Sequence, residues 1–140
     1  MFLFDTNVLI YQLTDSDYRE PCAALVDAAA ERRTHGYVSA AVLEEVWHLE
    51  LSGRVDGLEG ATANLYDVFS PVLAVTDDVF RRALEIDASD LGSNDRIHVA
   101  TCQEWGIRTI VSADAAFDAV RSIRRVDPLD APAVERLLGG

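Results

Sequence analysis

Five acidic side chains occupy positions from which they could act together. Asp5 directly follows the apolar triplet Phe2-Leu3-Phe4, Asp114 comes three residues after an apolar run ending at Val111, and Asp95 stands in the first turn of a helical stretch. Glu44 and Glu45 fall in the second turn of another. Taken singly, each has an ordinary role. The helix dipole favours an acid near an N-terminus by about 0.3–1 kcal/mol, Asp114 can cap the turn that follows it, and a helical glutamate can simply be solvated. Together they repel one another unless a cation lies among them, and hard oxygen ligands suit Mg2+ or Mn2+. Carboxylates holding one or two such ions can activate water for in-line attack on a phosphodiester, and no side chain then needs to be the nucleophile.

The elements that must carry these residues read as strands alternating with helices. Residues 2–4 predict a short apolar strand, 6–13 a helix, 17–33 a helix with Pro21 near its start, and 37–39 a second strand. Helical spacing then runs to the stop at Gly53. A helix over 57–69, a strand over 72–75, a helix over 77–88, a helix from Ser93 as N-cap to Gly106, strands over 107–111 and 123–126, and a helix over 131–138 complete the pattern. Buried apolar strands separated by helices predict a three-layer α/β/α sandwich around a short, mainly parallel sheet. In such sheets ligands bind beyond the carboxyl ends of the strands, where four separate elements can deliver Asp5, Asp95, Asp114 and one of Glu44 and Glu45.

Helical spacing sharpens one of these positions and leaves another open. Asp95, His98, Val99 and Cys102 share one face, so Asp95 continues the stripe that faces the core. On the helix after residue 39, the apolar arc of Val42, Leu43, Val46, Trp47 and Leu49 has Glu44 on one border and Glu45 on the other, and spacing does not choose between them.

Length and charge narrow the field. The chain has 140 residues, 49% of them hydrophobic, which suits a single domain over 1–140 with a sizeable core. Its 24 acidic residues face 12 basic ones, all of them arginine, for a net charge of −12. Such a surface suits either high internal salt, where screening removes self-repulsion, or an arginine-biased codon usage. Without lysine a P-loop is excluded, and a phosphoryl site that neutralises its phosphate with lysine is disfavoured. Cys22 and Cys102 are too few and too far apart for a disulfide framework or thiolate metal site, and read as core residues. No apolar run suits a membrane span and the chain opens on a strand rather than a basic leader, so a cytoplasmic protein is expected. His98 reads as a packed, hydrogen-bonded core histidine, His35 and His48 as surface residues, and Trp47 and Trp105 as core or dimer-contact residues. Arg81, Arg82, Arg96, Arg121, Arg124 and Arg125 are candidates for phosphate contacts, each with a solvated ion pair as its plainer role.

The segments FLFDTNVLI, VSAAVLEEV and SNDRIHVATCQEWGIRTIVSADAAF, in that order, resemble the PIN-domain ribonucleases, and among them the VapC-type toxins of toxin–antitoxin pairs. The resemblance implies a PIN-like fold and metal-dependent hydrolysis of RNA, with Mg2+ as cofactor and Mn2+ as its substitute. It makes Asp5 the first acid, Glu45 the second, Asp95 the third and Asp114 the fourth, with Glu44 the alternative to Glu45 and Asp118 the reserve for Asp114. By it Asp5 and Asp95 are primary metal ligands, Glu45 and Asp114 complete the shell or orient water, and Thr6, Asn7 and Ser112 support them. An RNA substrate, a small antitoxin that puts a basic side chain into the acidic site, and a homodimer are also implied. Two other functions compete. A haloacid-dehalogenase-like phosphohydrolase would use Asp5 as nucleophile but wants a second Asp where Asn7 stands, and a degenerate PIN domain would only bind RNA or protein.

Overall fold

A computed structural model gives the fold and describes residues 1–139. Strand β1 (Phe2–Phe4) is followed by α1 (Thr6–Tyr11), α2 (Arg19–Ala30), β2 (Gly36–Tyr37), α3 (Ala40–Ser52), α4 (Ala61–Phe69), α5 (Asp77–Leu84) and α6 (Ser93–Trp105). Strand β3 (Thr109–Val111), a 3-10 turn over Ala115–Ala119, β4 (Arg124–Val126) and α7 (Ala131–Gly139) complete the chain. The strands form one all-parallel sheet in the order β2-β1-β3-β4. Leu3 lies opposite Ile110 and Phe4 opposite Val111, so the two central strands end side by side.

Alternation along the strands sorts the core into two faces. Phe2, Phe4, Val111 and Val126 pack with Val8, Leu25, Val42, Leu65 and Val134, which come from α1, α2, α3, α4 and α7. Leu3 and Ile110 pack on the other face with Val99 and Cys102 of α6 and with Phe117. Helix α5 covers α6 in turn through Val79, Ala83 and Ala100. The result is the expected three-layer sandwich, with a sheet that is wholly parallel. Cys22 and Cys102 are buried free thiols, as expected. No helix among the described residues is long and apolar enough to cross a membrane.

The helices that carry acids have well-defined ends. Ser39 Oγ accepts the N–H of Val42 at 3.1 Å to start α3, and Gly53 closes it in the left-handed conformation at φ 65°. Gly106 closes α6 likewise at φ 67°. At its other end the N-cap is Gly92, and Ser93 is the first helical residue instead of the cap.

Other boundaries move for identifiable reasons. The expected strand over 72–75 is reduced to a single bridge between Leu73 and Ser39. Its partner runs out because the chain enters α3 directly after Ser39, and Pro71 has no N–H to lend. Helix α4 begins at Ala61, not 57, because Gly57 and Gly60 take left-handed backbone at φ 85° and 77°. Helix α2 ends before Arg32, whose φ is 58°. Helix α5 stops at Leu84 because the next carbonyls turn toward Arg96, whose guanidinium donates to Ile86 O, Ala88 O and Leu91 O at 3.0, 3.0 and 2.9 Å. Arg96 is therefore a structural residue, not a free phosphate contact. The core placement of Trp47 and Trp105 also fails, since they are 54% and 46% exposed. On α3 the inward positions are filled by Val42, Leu43 and Val46, and Trp47 falls just outside them.

Gly36 lies against the rings of Phe2 and Phe4. A Cβ there would meet the Phe4 ring at 2.6 Å and the Phe2 ring at 2.9 Å. Phe4 is fully buried and packs edge-on against Phe69, so it has no room to retreat. Gly36→Ala is expected to destabilise the protein by about 1–3 kcal/mol, the usual cost of overpacking, read as a lowered urea midpoint with an unchanged slope.

Candidate metal centre

The chain reverses its direction of travel across the sheet between β1 and β3, and the crevice beyond their carboxyl ends is where such folds bind ligands. Asp5 and Ser112 are the first residues past those ends. Asp5 N donates to Val111 O at 3.0 Å, so the ladder continues to the carboxylate itself. Only 4% of Asp5 is exposed. Its Oδ1 accepts from Thr6 N at 2.8 Å, and its Oδ2 accepts from Asn7 Nδ2 at 3.0 Å and Ser112 Oγ at 2.6 Å. The buried Ser112 hydroxyl also accepts from Asp114 N at 3.0 Å, and Asn7 Oδ1 accepts from Ala113 N at 3.3 Å. Thr6 leaves its own hydroxyl buried without a partner. Thr6, Asn7 and Ser112 thus surround the Asp5 carboxylate.

An open pocket of 260 Å³ is lined by Asp5, Thr6, Asn7, Glu45, Asp95 and Asp114 on its polar side and by Ile10, Tyr11 and Leu49 on its apolar side. All four predicted acids meet there. Asp114 lends Oδ1 to the N–H of Ala116 at 2.9 Å, capping the 3-10 turn while its other oxygen stays available. Glu45 is half-buried, and its Oε1 accepts from the Nε2–H of His98 at 2.5 Å. The alternatives Glu44 and Asp118 lie outside this pocket. Glu44 is exposed and does not line this pocket, and Asp118 is engaged at 2.9 and 3.1 Å by the two arms of Arg125.

The electrostatics of the pocket are set by burial and by the mutual repulsion of its carboxylates. Burial pushes the Asp5 carboxyl above the ordinary carboxylate range, against the fields and hydrogen bonds of His98, Ser112 and Thr6. Asp95 rises to about 6, first through burial and then through the negative fields of Asp5, Asp114 and Glu45. Burial opposes a charge on His98, yet the Glu45 hydrogen bond and the fields of Asp5, Glu45 and Asp95 together outweigh it and raise its pKa. An oxygen each of Asp5 and Asp95 and a ring nitrogen of His98 lie within 4.8 Å of one another. An oxygen-rich, electron-dense pocket of this kind fits a hard divalent cation.

The family model of the PIN domain matches residues 2–123. The chain belongs to the PIN-domain family. Its relative ribonuclease VapC7 of Mycobacterium tuberculosis is 30% identical, with 99% of both chains covered. Among solved structures, FitAcB from Neisseria gonorrhoeae matches this PIN domain with a TM-score of 0.69 at 21% identity, over 93% of this chain and 99% of that one. A toxin–antitoxin complex from Klebsiella pneumoniae matches at 0.67 and 19%, over 91% and 98%. The Sarcin-Ricin loop cleaving toxin VapC20 of M. tuberculosis matches at 0.67 and 21%, over 85% and 94%. At such identities the structural matches carry the fold.

Two features of the PIN domain's pocket depend on contacts between helices. The apolar wall of Ile10, Tyr11 and Leu49 joins two helices, and of its residues Leu49 belongs to the apolar arc that spacing gives α3. The hydrogen bond from His98 to Glu45 was half legible, because His98 follows Asp95 at helical spacing while Glu45 lies 53 residues away.

The raised Asp95 pKa has a thermodynamic consequence. The folded state binds this proton more tightly than the unfolded chain does, so the contribution of Asp95 to stability is lost as pH rises from about 4 toward about 6. Asp95→Asn is expected to melt higher than the natural protein in EDTA above pH 6. The gain should fade below pH 4, a comparison that thermal denaturation at several pH values makes directly.

Proposed function

We propose that this PIN domain is a divalent-metal-dependent endoribonuclease and the toxin of a VapBC-type toxin–antitoxin pair. The observation that carries this is the convergence of Asp5, Glu45, Asp95 and Asp114, from four separate elements, on one pocket at the carboxyl end of the sheet. The relative named ribonuclease VapC7 and the neighbours described as toxins support the same activity.

Asp5 and Asp95 are the primary ligands, and Glu45 and Asp114 complete the shell or orient water with the oxygens that His98 and the Ala116 N–H leave free. Mg2+ fits this donor set and Mn2+ can replace it. When bound, the ion supplies Lewis-acid stabilisation of charge on the attacking and leaving oxygens of a phosphodiester. Thr6 N, Asn7 and Ser112 keep Asp5 in one orientation by occupying both its oxygens from behind.

The substrate is an RNA strand that binds with little help from basic residues. Arg81 pairs with Asp78, Arg82 with Glu104, and Arg125 with Asp118 and Asp127, while Arg96 is spent on loop carbonyls. Arg121 and Arg124 are exposed and make no ion pair among the described residues. The wall of Ile10, Tyr11 and Leu49 offers a nucleobase an apolar and aromatic surface in place of a basic groove. A cognate antitoxin would satisfy the same acidic pocket with a basic side chain in the ion's stead. Exposed Trp47, Phe80, Leu84 and Trp105 give a second copy of the chain apolar surface to cover, and the cytoplasm is its place of action.

The competing functions fare less well. A phosphohydrolase needs an acid where Asn7 instead donates to Asp5, and a degenerate domain has no use for four convergent carboxylates. Purified protein incubated with single-stranded and transfer RNA is expected to cut with Mg2+ or Mn2+ and to stop in EDTA. Asp5→Asn should lower the rate about 100-fold or more, corresponding to a few kcal/mol of lost charge stabilisation. Cleavage that survives EDTA or Asp5→Asn overturns the proposal, and binding without cleavage points to the degenerate domain.

A further inference from the structure

We infer that His98 is a positioning residue whose Nε2–H, donated to Glu45 Oε1, aims the free oxygen of that carboxylate at the metal centre. The inference rests on the reading of the pocket as a metal centre. At 2.5 Å the bond joins α6, which carries Asp95, to α3, which carries Glu45. His98 is fully buried one turn beyond Asp95, so its ring is a rigid post. Glu45 is a flexible side chain, 25% exposed at the pocket rim, with no other hydrogen bond among the described residues to hold it there. This one contact gives Glu45 an inward anchor, and Glu44, its neighbour in sequence, has none.

The buried Nδ1 of His98 has no partner, and that orphan decides between two roles. As a metal ligand through Nε2, His98 would carry its proton on Nδ1, and a ligating histidine almost always donates that second N–H to a carboxylate, carbonyl or water. Nothing accepts it here. With the proton on Nε2, the strong donor is satisfied and only an acceptor lone pair is left idle. Asp5 Oδ1 lies 3.8 Å from Nε2, beyond hydrogen-bonding distance, so the proton is directed to Glu45 alone. The proximity of Asp5, Asp95 and His98 therefore marks two acids and a donor to a third, not a three-ligand set.

The test is Mn2+ affinity by calorimetry on the whole protein, for the natural chain, His98→Met, His98→Gln, Glu45→Gln and the double variant His98→Met with Glu45→Gln. His98→Met is expected to weaken Mn2+ about 10- to 100-fold, the usual effect of losing a partner that orients a ligand. His98→Gln, whose amide N–H can reach Glu45, should recover most of that loss, and the double variant should bind no more weakly than Glu45→Gln. Unchanged affinity in His98→Met, failure of Gln to rescue, or losses that multiply in the double variant overturn the inference, the last two by making His98 a ligand itself. Should the variants fail to fold, the long-range 1H–15N spectrum of the natural metal-free protein still decides: a proton on His98 Nε2 is expected, and one on Nδ1 with none on Nε2 overturns it. A natural protein that binds no Mn2+ at all overturns the metal-centre reading and this inference with it, an outcome distinct from normal binding with additive variants.

Discussion

Everything in the site depends on the parallel pairing of two three-residue strands. With Leu3 opposite Ile110 and Phe4 opposite Val111, β1 and β3 end level, and their next residues, Asp5 and Ser112, meet at a 2.6 Å hydrogen bond. A slip of one residue would turn Asp5 to the other face of the sheet, because side chains alternate along a strand. Register is specified by Phe2 and Phe4 on one face and Leu3 on the other, each buried in its own core cluster. The apolar packing that stabilises the fold thus also sets the position of the carboxylate.

A buried carboxylate is tolerated here because its surroundings are built from donors. Thr6 N, Asn7 Nδ2 and Ser112 Oγ together occupy both Asp5 oxygens on the protein side. Those donors do not neutralise the negative charge that Asp95, Glu45 and Asp114 add at the pocket mouth. The site is stable enough to fold and electrostatically incomplete, which is the condition under which a cation binds without first breaking strong ion pairs. His98 belongs to the same design, since it lends a proton to Glu45, an acid that no backbone group restrains.

The rest of the molecule keeps its few cations away from that pocket. Arg96 stitches the loop before α6, and Arg125 spans Asp118, Asp127 and Ser112 O beside the fourth acid. By fixing Asp118, Arg125 leaves Asp114 to face the pocket, and by holding Ser112 O it steadies the residue that bridges Asp5 and Asp114. On an acidic surface whose arginines nearest the site are committed, counterion release would add little to nucleic-acid binding, and shape and stacking would carry the selection.

The alternation of apolar strands with helices, the placement of acids at strand ends and the inward stripe of Asp95 were legible because they are local: period and sequence adjacency carry them. So were the helix stops at Gly53 and Gly106, where single residues satisfy helix-end geometry. The strand over 72–75 misled because its pairing depends on how soon its partner leaves the sheet, and α5 ended early because an arginine ten residues on took its carbonyls. Glu45 and Glu44 are equivalent to any periodicity. Only the packing of α3 against α6, which brings His98 within reach of one of them, breaks that symmetry, since a hydrogen bond across 53 residues is written in the fold and in no single stretch of the chain.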